Sequence, residues 1–501
     1  MTPVKTSILL GIIVCIALIA GTRNVGVTWD EPIYLHSANQ MLAFFKDMNA
    51  SRFTDQEIQK YFDASQWKDV HPTFAKALGA FTLALTGKFQ DDLYAYRFGN
   101  ILLASIVAAL IYFFLSRHFQ SWRTGLLTAL VCIAMPRVAG QFQIGDTDTT
   151  LYLVSFPAAI AGYLSATNGS WRWGMVCGIL CGICVTTRYT GLVVPLGIFL
   201  WTFLYHRDQN GVYNLFTIPF LSPLIFVLLN PQLWKDPIFR SFVYFARSSG
   251  RHITEPHVGF MFQFFNHTPW YYAPILILTT IPLLSLLIIA IGIVQCSLKE
   301  RDHLAGLFAM LAALPVLIVT MPGNVAYDGV RLFLVTFLYL GLFSAWAFAH
   351  YEDWIKRNIV FVPLVIALLA PPVLAYPFEL EYYGPQIGGT RGAANIGLEI
   401  TYWWDAANQA FYKQANDVLP QGGSVAMLPA DQPFLDYYQQ KKYLHVDVVP
   451  PGKSDFVILL CRPSCDNERL KQYVGQFYKD LDLQLSYPNK ELPFVMVLRN
   501  R

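Results

Sequence analysis

The chain is a succession of long apolar runs separated by short polar connections, and most of these runs are long enough to cross a bilayer as a helix. Roughly 20 residues span a hydrocarbon core, and roughly 17 can suffice. By that measure about eleven segments qualify: 6–22, 94–115, 124–140, 149–166, 172–187, 189–205, 213–230, 270–295, 304–321, 330–349 and 358–376. Only 14% of residues are charged, well below the roughly 25% of a soluble globular chain. The expected fold is therefore a polytopic α-helical membrane protein. Segment 6–22 follows Lys5 and has the length of a signal sequence, but no clear small-residue cleavage site succeeds it, so a retained anchor is expected. The run Phe74–Gly87 is too short to span comfortably and reads as an interfacial or re-entrant helix.

Orientation follows from Lys and Arg in short connections. Lys5, Arg117, Arg123, Arg172, Arg207, Lys299, Arg301, Lys356 and Arg357 fall in one set, assigned to the cytoplasm. The opposite set holds the long connections 23–93 and 231–269. An odd number of spans then places everything after residue 376 outside. Residues 1–376 form the membrane domain, including outer loop 23–93, and 377–501 a small extracytoplasmic α/β domain. In that domain Ser424–Leu428, Tyr443–Val449, Asp455–Cys461 and Phe494–Leu498 read as strands from their β-branched and aromatic content. Ile400–Val418 and Asn467–Leu481 read as helices. Cys177, Cys181 and Cys184 lie in an apolar run without His or acid beside them and read as packing residues. Cys461 and Cys465 can pair if their compartment is oxidising.

The unusual polar residues gather at the outer span ends. Asp30-Glu31 places two adjacent carboxylates just beyond the first span; partial burial would raise at least one pKa, as a general base requires. The same residues would also suit a helix start, with Asp30 as N-cap and Pro32 just inside. Lys76, in His71-Pro72-Thr73-Phe74-Ala75-Lys76, can snorkel to the surface or face a phosphate. Asp146 and Asp148 form a D-x-D pair, a pattern that suits oxygen ligation of a hard divalent cation and is also common in acidic surface turns. Arg188 stands between two apolar runs with almost no loop, where a charge is costly and usually functional; Arg331, in Tyr327-Asp328-Gly329-Val330-Arg331, repeats that logic. A planar guanidinium suits phosphate. His252 and His267, with Asp30 and Asp148, are the side chains a divalent metal would use. Net charge is only +3, from 36 basic and 33 acidic residues, so there is no electrostatic footprint for nucleic acid. No P-loop or Gly-rich dinucleotide turn is present, and no nucleotide cofactor is expected.

These motifs and their order resemble the GT-C glycosyltransferases, specifically glycosyltransferase family 39: the protein O-mannosyltransferases and relatives such as the lipid A aminoarabinose transferase. The resemblance rests on Asp30-Glu31 after the first span, His71-Pro72 with Lys76, Pro136-Arg137 before Asp148, Thr187-Arg188, Asn230–Asp236, His267–Tyr272, Tyr327–Arg331 and Gly388–Gly392. It implies inverting transfer of a sugar from a polyprenyl-phosphate donor to an acceptor glycan, lipid or protein on the extracytoplasmic face of the plasma membrane. It further implies that Asp30 is the catalytic acid residue that activates the acceptor hydroxyl. Glu31 would help position substrates or a cation, and Asp148, with Asp146, would be the second acidic site. Arg188, Arg331 and Lys76 would hold the carrier phosphate. A lipid or glycan transporter is the principal rival, but transporters place ionisable groups near the midplane, often in repeated halves. Here the charges sit at span ends and no repeat is evident.

Overall fold

The computed structural model describes residues 3–46, 50–63, 71–206, 210–254, 258–298, 302–430, 432–461, 474–475, 477–478 and 480–501. Every expected span is helical, but the number of full-length single helices is smaller than expected. Among the described residues six helices are long and apolar enough to cross a membrane: Pro3–Thr22, Asp92–His118, Thr147–Asn168, His303–Thr320, Arg331–His350 and Asn358–Ala375. Tyr272–Thr280 and Leu283–Ser297 form a seventh if counted together, bent by 114°. Trp122–Ile133, Trp171–Thr187, Tyr189–Tyr205 and Val212–Leu228 are shorter apolar helices.

Two of the shortfalls have one cause. A residue preceding proline is disfavoured in the α region. Ile281 before Pro282 has ψ 131°, and Met135 before Pro136 has ψ 125°. The expected single spans 270–295 and 124–140 are therefore each broken there, the latter into Trp122–Ile133 and Pro136–Gln141. Prolines deeper inside helices, such as Pro157 and Pro315, leave their helices continuous.

The outer surface of the bundle is apolar. Ile8, Ile12, Ile16 and Ile19 face outward from the first helix, and Phe216, Phe220, Leu224 and Leu228 make a stripe along Val212–Leu228. By contrast, Thr147–Asn168 and Arg331–His350 run through the middle, mostly buried. Small residues set the closest approach: Gly174, Gly178 and Gly182 recur every fourth position and face Val212–Leu228, where a β-carbon on Gly182 would lie 2.5 Å from Ile225. Such small-residue ridges let membrane helices touch through their backbones. Hydrogen bonds from Thr217 Oγ1 to the Gly174 carbonyl (2.8 Å) and from Ser222 Oγ to the Gly178 carbonyl (3.2 Å) cross the same contact. Cys177, Cys181 and Cys184 are buried in this region. At the end of the bundle opposite Asp30, exposed Trp122, Trp171 and Trp354 each have the neighbouring Arg123, Arg172 or Arg357 over the ring, an interfacial aromatic–cationic belt.

The segment after residue 376 contains a five-stranded mixed sheet in the order 447–448, 424–428, 456–460, 495–500, 481–487. The first three strands are parallel and the last two pairings antiparallel. Three of the four expected strands are present near their expected positions; of Tyr443–Val449 only Asp447–Val448 pairs. The strand Leu481–Tyr487 and the helix Gln432–Lys441 were not expected. The expected helix Asn467–Leu481 falls mainly outside the described residues, and Leu481 itself opens a strand. Cys461 is buried after its strand, and Cys465 lies outside the described residues. The expected helix Ile400–Val418 begins only at Gln409, capped by Asn408. Residues 400–408 are irregular because their carbonyls serve another segment: Trp403 accepts the Trp29 N–H (3.1 Å) and Asp405 that of Gly26 (2.8 Å). One hydrophobic core runs from the bundle into this sheet.

Candidate functional site

Three segments meet at the end of the bundle where the 22–31 connection lies: the start of helix Glu31–Lys46, the turn before Thr147–Asn168, and the turn before Arg331–His350. Each begins a helix, so each presents its first polar side chains to the same space. Asp146 caps its helix, accepting the Asp148 and Thr149 N–H groups at 3.1 and 3.2 Å, so its carboxylate serves the backbone. Asp148, two residues on, turns the other way.

Arg331 is the hub. Its Nη2 donates to Asp30 at 2.6 Å, its Nη1 to Asp328 at 2.8 Å and its Nε to Asp148 at 3.2 Å. Asp148 also accepts Arg188 Nη1. Asp30, Asp148, Arg188 and Arg331, separated by as many as 301 positions, thus form one chain of charge. Asp148, Arg188 and Arg331 are at most 5% exposed, whereas the Asp30 carboxylate is 24% exposed and reaches solvent. Burial of this kind is tolerated because opposite charges are hydrogen-bonded. The tight turn that aims Arg331 needs Gly329: its φ is +65°, and a β-carbon there would lie 2.9 Å from both Arg137 Nη1 and the Tyr402 ring.

Glu31 makes a separate set of bonds from Asp30. It is fully buried against Arg97, whose Nε and Nη2 donate to its two oxygens at 2.6 and 2.7 Å. The same oxygens accept the Gly145 N–H (2.8 Å) and the Thr28 N–H (2.9 Å). The other N–H groups of Arg97 go to the carbonyls of Thr22, Val25 and Gly26. This pair fastens the chain between the first span and Asp30. Arg97 was missed by sequence reasoning, although an arginine inside the apolar run 94–115 is itself a signal. Lys76 is buried and donates to the His71 carbonyl at 2.7 Å, so it does not snorkel to the surface. Asp328 and Trp403 were likewise not assigned; the Trp403 ring covers the Arg331 guanidinium at 4.1 Å.

Arg331 lies between Asp30 and Asp148 and donates to both. His267 is exposed, and the His252 side chain lies outside the described residues. Among the described residues no group of three or more His, Cys, Asp or Glu is positioned to hold a metal. Near Trp403, burial pushes the Asp405 carboxyl up to about 6; burial, with the Asp405 charge beside it, also raises Glu381.

Below Asp148 and Arg331 opens a cleft otherwise walled mainly by apolar side chains including Leu196, Pro315, Val319 and Val335, with Tyr189 at its side. Arg188, which bonds to Asp148 of this lining without lining the cleft itself, has a buried Nε with no hydrogen-bond partner among the described residues. A second cleft lies beside His71, between Asp63, Asn230, Phe239, Arg240 and Arg247. The His71 ring meets Tyr34 edge-on at 5.7 Å.

The comparisons give this helical bundle the GT-C fold. Residues 70–234 match the family model described as dolichyl-phosphate-mannose-protein mannosyltransferase. The fold is that of ArnT from Cupriavidus metallidurans, solved bound to undecaprenyl phosphate (12% identity, TM-score 0.52) and in the apo state (12% identity, TM-score 0.54). Each match covers 99% of this chain and 98% of that one. No curated protein sequence matches the chain.

Proposed function

We propose that the protein transfers a sugar, with inversion, from a polyprenyl-phosphate carrier to an acceptor hydroxyl at the extracytoplasmic membrane surface. The observation that carries this reading is the makeup of the first cleft: a mainly apolar wall under Arg331, with Arg188 held behind it through Asp148, suits a ligand with a phosphate head and a hydrocarbon tail. The unpartnered Arg188 Nε supports it, since a buried N–H without a partner costs about 1–3 kcal/mol and a phosphate oxygen would relieve that cost. ArnT, whose fold this is, was solved with undecaprenyl phosphate.

In this mechanism the carrier phosphate takes N–H donors of Arg188 and Arg331. Arg331 then loosens its hold on Asp30, the most exposed acid of the chain. Asp30 accepts the proton of the acceptor hydroxyl as its oxygen attacks the anomeric carbon. The bond from that carbon to the phosphate oxygen breaks, and polyprenyl phosphate leaves with the electron pair. The two guanidiniums stabilise its added negative charge, which is the electrostatic share of catalysis. The second cleft, beyond the His71–Tyr34 ring contact, is where we place the acceptor's approach. No step uses a metal, so chelation with EDTA should leave transfer unchanged; loss of activity restored by a divalent cation would require a different site.

Arg331→Ala tests the phosphate assignment. Loss of charge-assisted hydrogen bonds should weaken retention of a polyprenyl-phosphate sugar by about 30-fold or more, measured on the purified protein with a radiolabelled donor. Unchanged retention would remove Arg331 from the donor site.

A further inference from the structure

We propose that Trp403, from the segment after the last span, is a positioning residue that orients Arg331 and Asp30 together. This rests on the reading of Arg331 as a phosphate-holding group. The three carboxylates around Arg331 act through its N–H groups, which lie in the guanidinium plane. They hold the guanidinium from its edge, through groups that a phosphate would also use. The Arg331 guanidinium carbon lies over the Trp403 ring, 4.1 Å from its centroid, within cation–π range, so the ring holds the same cation independently of those N–H groups. The ring is 1% exposed, in a small core with Val25, Ile144, Leu380 and Tyr402. The Trp403 carbonyl accepts the N–H of Trp29, next to Asp30, at 3.1 Å. Its neighbour Trp404 anchors the segment through Nε1 to the Pro429 carbonyl at 2.8 Å. One residue therefore touches both the phosphate-holding cation and the chain that carries the base.

The consequence appears when donor arrives. The phosphate competes with the carboxylates for the in-plane N–H groups, and the ring contact is the one that does not have to change. The outer segment is then part of the active site.

The test replaces Trp403 with tryptophans carrying increasing numbers of ring fluorines, which drain the π face while leaving the fold essentially intact. KM for donor should rise stepwise with fluorination. Trp403→Leu should raise it about tenfold or more, and Trp403→Phe, which keeps a π face, much less. The indole Nε1 has no hydrogen-bond partner among the described residues, so its loss in the Phe variant leaves no acceptor unsatisfied. Trp403→Leu added to Arg331→Ala should bring little further loss of donor retention. A KM that stays flat across the fluorinated series, or equal effects of Leu and Phe, overturns the role of Trp403. If Arg331→Ala itself leaves donor retention unchanged, the phosphate reading fails instead.

Discussion

Asp30→Asn is expected to reduce transfer by roughly 10²- to 10⁴-fold, the range of a lost general base, while the protein folds and binds donor. Asparagine keeps the size of the side chain and an oxygen that can still accept from Arg331 Nη2. It cannot take a proton from the acceptor. The charge around Arg331 remains balanced, because Asp148 and Asp328 also accept from it. Donor retention should hold or tighten, since one carboxylate competing with the phosphate has been neutralised. The measurement is turnover with a saturating donor, beside thermal stability in detergent and donor retention. An Asp30→Asn protein that turns over at the wild-type rate would exclude Asp30 as the base. One that has lost donor retention would show that Asp30 acts on the phosphate side of the reaction.

Its neighbour should behave in the opposite way. Glu31→Ala leaves the fully buried Arg97 without its counter-ion, and breaking a buried pair from one side typically costs about 3–5 kcal/mol. It also removes the acceptor for the Gly145 and Thr28 N–H groups. Set against a typical stability of roughly 5–15 kcal/mol, that loss should show as a large fall in folded yield and thermal midpoint in detergent. Activity should fall in proportion to the folded protein that survives. A Glu31→Ala variant that is as stable as wild type and inactive would place Glu31 in the chemistry after all. The two substitutions touch consecutive residues, so the contrast between them tests the site without changing the region.

Much of the architecture was legible because apolar run length is a strong constraint. Each expected span contains helix, and of the residues grouped at the span ends Asp30, Asp148, Arg188 and Arg331 meet. The errors came where local preference competed with something distant. Pro136 and Pro282 broke spans that hydropathy alone would have continued. Residues 400–408 share the helical periodicity of the residues after them, but their carbonyls hold the 26–29 segment. Arg97 was hidden by its apolar neighbours.

The positions of the acids and arginines between apolar runs already place them at helix ends, and Pro32 after Asp30-Glu31 already suits a helix start. That these two carboxylates part company is visible only in three dimensions. Successive residues at a helix start point about 100° apart, so adjacent acids face different partners. Arg97 claims Glu31 from 66 positions away and Arg331 claims Asp30 from 301, distances over which spacing in the chain carries no information about which guanidinium will arrive.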